Sequence, residues 1–194
     1  MTDTRFKVLL YSDGSHQAFS AAVYTATLLQ NTPNMYLTIL HIHDRDAGSE
    51  GKKLSWIQTW PVNPTTEWVK HIINDSNMNI ELKKEYNAIF LKTYEILCDK
   101  RYNVNHHELF SNTRLSEISN TADLILDYAI QNSFDLIVMG TRGHSNLKGL
   151  IFGSLAHTVL TRSIIPVMLI KKLPQEFIDG YMSGISPTSL RRIK

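Results

Sequence analysis

Cysteine is almost missing from this chain: Cys98 is the single one among 194 residues. One thiol cannot close an internal disulfide or build a cysteine-based zinc site, and a reducing compartment is the simplest setting for it. Long apolar runs are missing as well. Nothing approaches the ~18 consecutive apolar residues that a spanning helix needs. The polar start, Met-Thr-Asp-Thr-Arg, does not read as a signal peptide. The expectation is a soluble, cytoplasmic protein without a membrane partner. Excess charge of one sign is also absent: 20 Lys and Arg face 18 Asp and Glu, a formal charge of +2. Phosphate-backbone binding needs a concentrated positive surface, so nucleic acid is not an expected partner. The chain has no G-x-x-x-x-G-K-[ST] loop, no G-x-G-x-x-G and no G-x-S-x-G elbow. It shows no obvious paired carboxylates or Ser-His-Asp arrangement, which argues against a fast enzyme.

What is present is an ordinary globular composition, 43% apolar and 20% charged, at a length suited to one domain with a sizeable core. Strand and helix signals alternate. Phe6 to Tyr11 is a short apolar run closed by Ser12-Asp13-Gly14. Ser15 reads as the N-cap of a helix to about Gln30, with Phe19, Ala22 or Val23, Ala26 and Leu29 on one face. Met35 to His43 is a second strand. Residues 44–66 lose periodicity and read as an inserted loop, rich in Pro and holding Trp56 and Trp60. A helical pattern then runs from Thr66 to about Arg101. A third strand falls within Val104 to Phe110, and a helix within Asn120 to Asn132. Phe134 to Met139 is a fourth strand, stopped by Gly140. A helix from Ser154 to Arg162 and a strand from Pro166 to Ile170 complete a domain over residues 1–172. Residues 173–194 read as a tail. Such alternation implies right-handed crossovers and a parallel sheet covered on both faces, with ligands beyond the carboxyl ends of the strands.

Two loops at that edge carry chemistry. After the fourth strand comes Gly140-Thr141-Arg142-Gly143, then nine further residues, then Gly153-Ser154 opening a helix. Glycines let backbone N–H groups approach an anion, and a helix start adds unpaired donors and a positive dipole end. The alternative is a glycine turn that only permits tight packing. After the first strand, Asp13 can face a ligand or simply order the turn into the helix. Arg142 suits a phosphate by charge and geometry, or lies solvated at the surface. His41 and His43 alternate along a strand, and His106 and His107 are adjacent. Neither pair has metal-site spacing. The Trp56–Trp60 loop can be a lid over the site or pack on the protein's own surface.

The Gly-x2-Gly-x9-Gly-Ser spacing resembles the nucleotide-binding signature of the universal stress protein family. Ser12-Asp13, Leu40-His41-Ile42, Asp135 to Gly140 and Ile165-Pro166-Val167 are similar to the same family. The resemblance implies an open five-stranded parallel sheet in order 3-2-1-4-5, Rossmann-like and akin to the adenine nucleotide alpha hydrolases. It implies ATP, ADP or AMP as ligand, with Mg²⁺ held largely by the phosphates. Asp13 would meet the ribose or polyphosphate with Ser12 beside it, and Ile42 the adenine. Met139 and Gly140 would line the floor, while Arg142, Gly143, Gly153 and Ser154 would hold ribose and phosphates. A sensor or switch in stress response follows, with hydrolysis slow if any, in a homodimer formed through the last strand. Two departures stand out: the zone from Ser111 to Thr121 lacks the glycine common after strand three, and the Trp-rich insertion is unusual. The competing readings are a nucleotide-independent dimeric interaction protein and a slow ATP hydrolase of a related fold.

Overall fold

The computed structural model describes residues 5–13, 15–44, 80–111, 118–141 and 152–184. The elements are β1 (Phe6–Tyr11), α1 (His16–Asn31), β2 (Met35–Asp44), α2 (Ile80–Cys98), β3 (Asn103–Ser111), α3 (Ile118–Gln131), β4 (Leu136–Gly140), α4 (Ser154–Arg162), β5 (Val167–Ile170) and α5 (Gln175–Ser183). The inserted loop over 44–66, its two tryptophans and the helical pattern from Thr66 to residue 79 lie outside the described residues, apart from Asp44 at the end of β2.

All four strand pairings are parallel, and the order is β3-β2-β1-β4-β5. This is the order the resemblance implied; periodicity alone could not have supplied it. The central strands β1 and β4 are apolar runs because both faces are covered. Val8 and Leu10 of β1, Leu37 and Ile39 of β2 and Val138 of β4 point into one cluster with α1, α2 and α5. Leu9, Tyr11, Leu40, Ile42, Ile137 and Met139 point into the other, with α3 and α4. The period-2 alternation of a strand makes this division.

Helix α1 starts where its cap residue predicts. Ser15 has extended backbone, and its Oγ accepts a hydrogen bond from the Ala18 N–H at 3.1 Å. Helix α3 ends in a Schellman turn: the Phe134 N–H reaches the Ala129 carbonyl at 3.0 Å and the Ser133 N–H reaches Ile130. Ser133 carries the left-handed backbone, φ 53°. Strand β4 therefore opens at Leu136 rather than Phe134, whose ring is buried against α3.

Residues 173–194, read from sequence as a tail, contain a helix. In α5, Phe177, Ile178, Tyr181 and Met182 pack, with Leu173, against the α1 and α2 side of the core. Tyr181 is buried, and its hydroxyl lies 2.9 Å from Thr93 Oγ1. Lys92 Nζ donates to the carbonyls of Tyr181 at 2.5 Å and Met182 at 3.2 Å, closing the helix end. The helix stops at Gly184 in the left-handed conformation, φ 71°. Residues 185–194 lie outside the described residues.

Candidate functional site

The carboxyl edge of the sheet gathers seven of the nine residues singled out from sequence: Ser12, Asp13, Ile42, Met139, Gly140, Gly153 and Ser154. The other two, Arg142 and Gly143, lie outside the described residues. The gathering follows from register. Leu10 pairs with both Ile39 of β2 and Val138 of β4, so β1 ends centrally between them. The Ser12 N–H continues the ladder onto the Leu40 carbonyl at 3.0 Å.

Two backbone bonds bring the ends of the glycine segment together. The Thr141 N–H donates to Ile170 at 2.9 Å, and the Gly153 N–H donates to the Thr141 carbonyl at 2.8 Å. The start of α4 is thereby pinned beside the end of β4. Gly153 is the N-cap of α4 and contributes no side-chain cap. A helix start turns the positive end of its dipole outward, where an anion is favoured. Ser154 is the first helical residue, and its carbonyl accepts from Thr158 Oγ1 at 2.8 Å.

Gly140 is explained by packing. A Cβ there would lie 2.7 Å from the Gln17 carbonyl carbon and 2.9 Å from the Ala18 nitrogen. Only glycine lets the first turn of α1 lie on the end of β4. Met139 and Ile42 are buried in the α3 and α4 cluster, so their side chains form the inner wall of the edge. Asp13 Oδ1 accepts from the Ser15 N–H at 2.9 Å, which orders the turn into α1. Ser12 is 2% exposed, and its Oγ has no hydrogen-bond partner among the described residues. A buried hydroxyl left in that state costs free energy unless a ligand or water meets it. Tyr11, below Asp13, keeps its proton: burial, and secondarily the Asp13 carboxylate, pushes the phenol far above its usual range.

The histidines separate. His107 stacks on Tyr128 of α3 with centroids 4.5 Å apart. His41, His43 and His106 occupy the opposite face of the sheet, where Ile39 pairs with His106 and His41 with Glu108. His41 is buried. Burial, then His106, then His43, lower its pKa to about 3. In the sequence, His41 stands within the family-like Leu40-His41-Ile42 run and in a histidine pair without metal-site spacing. Among the described residues, no helix is long and apolar enough to cross a membrane.

A parallel sheet in this order, with an uncapped helix start and a glycine crossing at its carboxyl edge, defines the Rossmann-like α/β class. Comparison narrows it. The profile of the universal stress protein family matches residues 95–171, the stretch that contains the glycine segment. Universal stress protein YxiE of Bacillus subtilis is 31% identical over 160 residues, covering 82% of this chain and 93% of that one. Stress response protein NhaX of the same organism is 26% identical over 172 residues, covering 85% and 97%. In fold, the chain is similar to universal stress protein UspA from Lactobacillus plantarum, with a TM-score of 0.52 at 20% identity, covering 86% and 99%. The chain belongs to the universal stress protein family.

Proposed function

We propose that this protein binds ATP, or ADP or AMP, at the carboxyl edge of its sheet, and acts as a sensor or switch in stress response rather than as a fast enzyme. The observation that carries the reading is the pinned start of α4. Gly153 is tied to Thr141 while the first turn of α4 has no side-chain cap among the described residues, and at the same edge of the sheet the buried Ser12 hydroxyl has no partner among them. These groups fit a polyanion and a sugar: oriented N–H donors with a dipole for phosphates, and hydroxyl and carboxylate groups for ribose. In this reading Ser12, Asp13, Arg142, Gly143, Gly153 and Ser154 hold ribose and phosphates. Ile42 and Met139 wall the adenine, and Gly140 sets the floor. Mg²⁺ would be held mainly by phosphate oxygens. The cytoplasm supplies such nucleotides.

The same reading includes a homodimer through β5. That strand pairs with β4 alone among the described strands, and Ile164 just before it is 82% exposed. An apolar edge of this kind calls for cover.

The test is mass spectrometry of small molecules released from freshly purified, denatured protein, with thermal shift against ATP, AMP and GTP. Released adenine nucleotide, or stabilisation by ATP and not GTP, is the expected result. No nucleotide and no shift at millimolar concentration would remove the reading. A second reading, a nucleotide-independent dimeric interaction protein, is favoured by the packing role of Gly140. Gly153→Val separates the two. The backbone there, φ −64° and ψ 154°, is in a region open to side-chain-bearing residues, and circular dichroism checks that the variant is folded. Nucleotide stabilisation is lost under the first reading; under the second there is none to lose.

A further inference from the structure

Two lysines, Lys171 and Lys172, follow β5 directly at the carboxyl edge of the sheet, and both are exposed. Neither takes part in an ion pair among the described residues. We propose that Lys171 is a binding residue for the outer phosphates of the nucleotide, so that the site distinguishes ATP and ADP from AMP. The inference rests on the nucleotide reading above and adds to it a residue and a ligand preference.

Register and two backbone bonds fix where Lys171 begins. Gly140 of β4 pairs with Ile170 of β5. The Ile170 carbonyl accepts from the Thr141 N–H at 2.9 Å, and the Thr141 carbonyl accepts from the Gly153 N–H at 2.8 Å. One residue, Thr141, therefore separates the end of β5 from the start of α4. Alternation along β5 supplies the direction. Val167 and Leu169 pack in the cluster of α3 and α4, whereas Met168 and Ile170 pack in that of α1, α2 and α5. The next position on the α4 side is 171. Lys171 thus stands on the face that carries α4, Met139 and Ile42, and Lys172 belongs to the opposite face by the same count.

Charge and direction give this lysine its role. A helix start offers roughly half an elementary charge, which favours one phosphate at α4 but does not balance a chain of them. Asp13, at the end of β1, is a carboxylate, so it suits the ribose and repels phosphate. A ribose beside Asp13 and a first phosphate at α4 set a direction across the sheet, from β1 over β4. The next strand in that direction is β5. The second and third phosphates of ATP would run toward its end, where Lys171 stands. Lysine meets them as a compact charge on a flexible stem, able to follow one or two further phosphates. AMP ends at the first phosphate and falls short of it.

The test measures the Kd for ATP and for AMP by calorimetry, with Mg²⁺ present, in the full chain and in Lys171→Gln, Lys171→Arg and Lys172→Gln. All three replacements fall at exposed positions, where substitutions change stability little. We expect Lys171→Gln to raise the Kd for ATP about tenfold, as loss of one charge-assisted contact implies, and that for AMP by less than about twofold. Lys171→Arg should keep the wild-type ratio of the two constants, and Lys172→Gln should leave each within about twofold. An unchanged ratio in Lys171→Gln overturns the role of Lys171. So does an equal loss in Lys172→Gln, which would mark a general effect of net charge. Wild-type protein that binds AMP as tightly as ATP also overturns it, with the nucleotide reading intact. Failure of the wild type to bind either nucleotide overturns the nucleotide reading, and the role of Lys171 with it.

Discussion

Replacing Gly140 by alanine should destabilise the protein far more than one methyl group suggests. The new Cβ would sit 2.7 Å from the Gln17 carbonyl carbon, 2.8 Å from Gln17 Cβ and 2.9 Å from the Ala18 nitrogen. Carbon atoms in contact prefer about 3.5–4.0 Å, so the first turn of α1 must retreat by roughly an ångström. That turn cannot retreat freely. Ser15 caps it, and Ala18 and Phe19 are buried beneath it. Overpacking a tight core costs about 1–3 kcal/mol, and two of the three clashes are with backbone, so the upper end applies. At about 2–4 °C per kcal/mol for a chain of this size, the melting temperature should fall by about 6–12 °C. Urea unfolding should show a lower midpoint at unchanged slope. Gly184→Ala is the control: nothing lies within 4 Å of a Cβ there, and only its left-handed backbone, φ 71°, is strained. About 1–2 kcal/mol is expected from that strain. A Gly140→Ala melting temperature within 2 °C of wild type would refute the close approach of α1 to β4.

Acid should weaken the fold through histidines held neutral. Burial lowers His106 to about 4, and His41 stands at about 3. The unfolded chain binds these protons near pH 6.5 while the native state refuses them, so stability is full above that pH and falls as pH drops toward 4. Each ring contributes a slope of up to about 1.4 kcal/mol per pH unit, measurable by urea unfolding from pH 7 to 5, and replacing both by glutamine should flatten it. Ser133→Gly should stabilise, unlike most substitutions, by about 0.5–1 kcal/mol, because glycine takes the left-handed position without strain. A lower midpoint for that variant would contradict the Schellman turn. Tyr181→Ala should cost about 3–5 kcal/mol by emptying a core position, whereas Tyr181→Phe should cost about 1 kcal/mol, since Thr93 Oγ1 keeps its bond to the Ile89 carbonyl. Equal small losses from both would mean that α5 is not part of the core.

The elements that sequence reading located best are those whose signals are local. β1 and α1 follow from an apolar run and a serine cap, and α4 follows from Gly153-Ser154. Strand order came through resemblance, because alternation of strands and helices leaves order open. Helix α5 has a weak local signal, although Phe177, Ile178, Tyr181 and Met182 stand at helical spacing. The stripe is short, lies between Pro174 and Gly184, and follows the last strand, where no further core is required. Gly140 was read as pocket floor; its need for α1 overhead is a tertiary contact that no local pattern encodes. His41 was similarly opaque. Its strand neighbour, Ser12, is 29 positions away and comes beside it only when β1 and β2 pair with Tyr11 opposite Leu40.

The two helix starts at the carboxyl edge differ in a way that bears on where an anion would go. Both reach the end of β4, α1 across Gly140 and α4 through the Gly153 bond to Thr141. The start of α1 already has its own acceptors, since Ser15 Oγ takes the Ala18 N–H and Asp13 takes the Ser15 N–H. A carboxylate at that position would also repel phosphate. The start of α4 has a glycine cap and, among the described residues, no side-chain acceptor. Local electrostatics therefore favours phosphates at α4 and a neutral, hydroxyl-bearing group such as ribose at Asp13, whose carboxylate accepts rather than donates hydrogen bonds. A ligand bound in that polarity would bridge α4 to the α1 turn across β4 and β1. It would thus join the two helices whose starts meet at the end of β4, and would stabilise the native state by mass action.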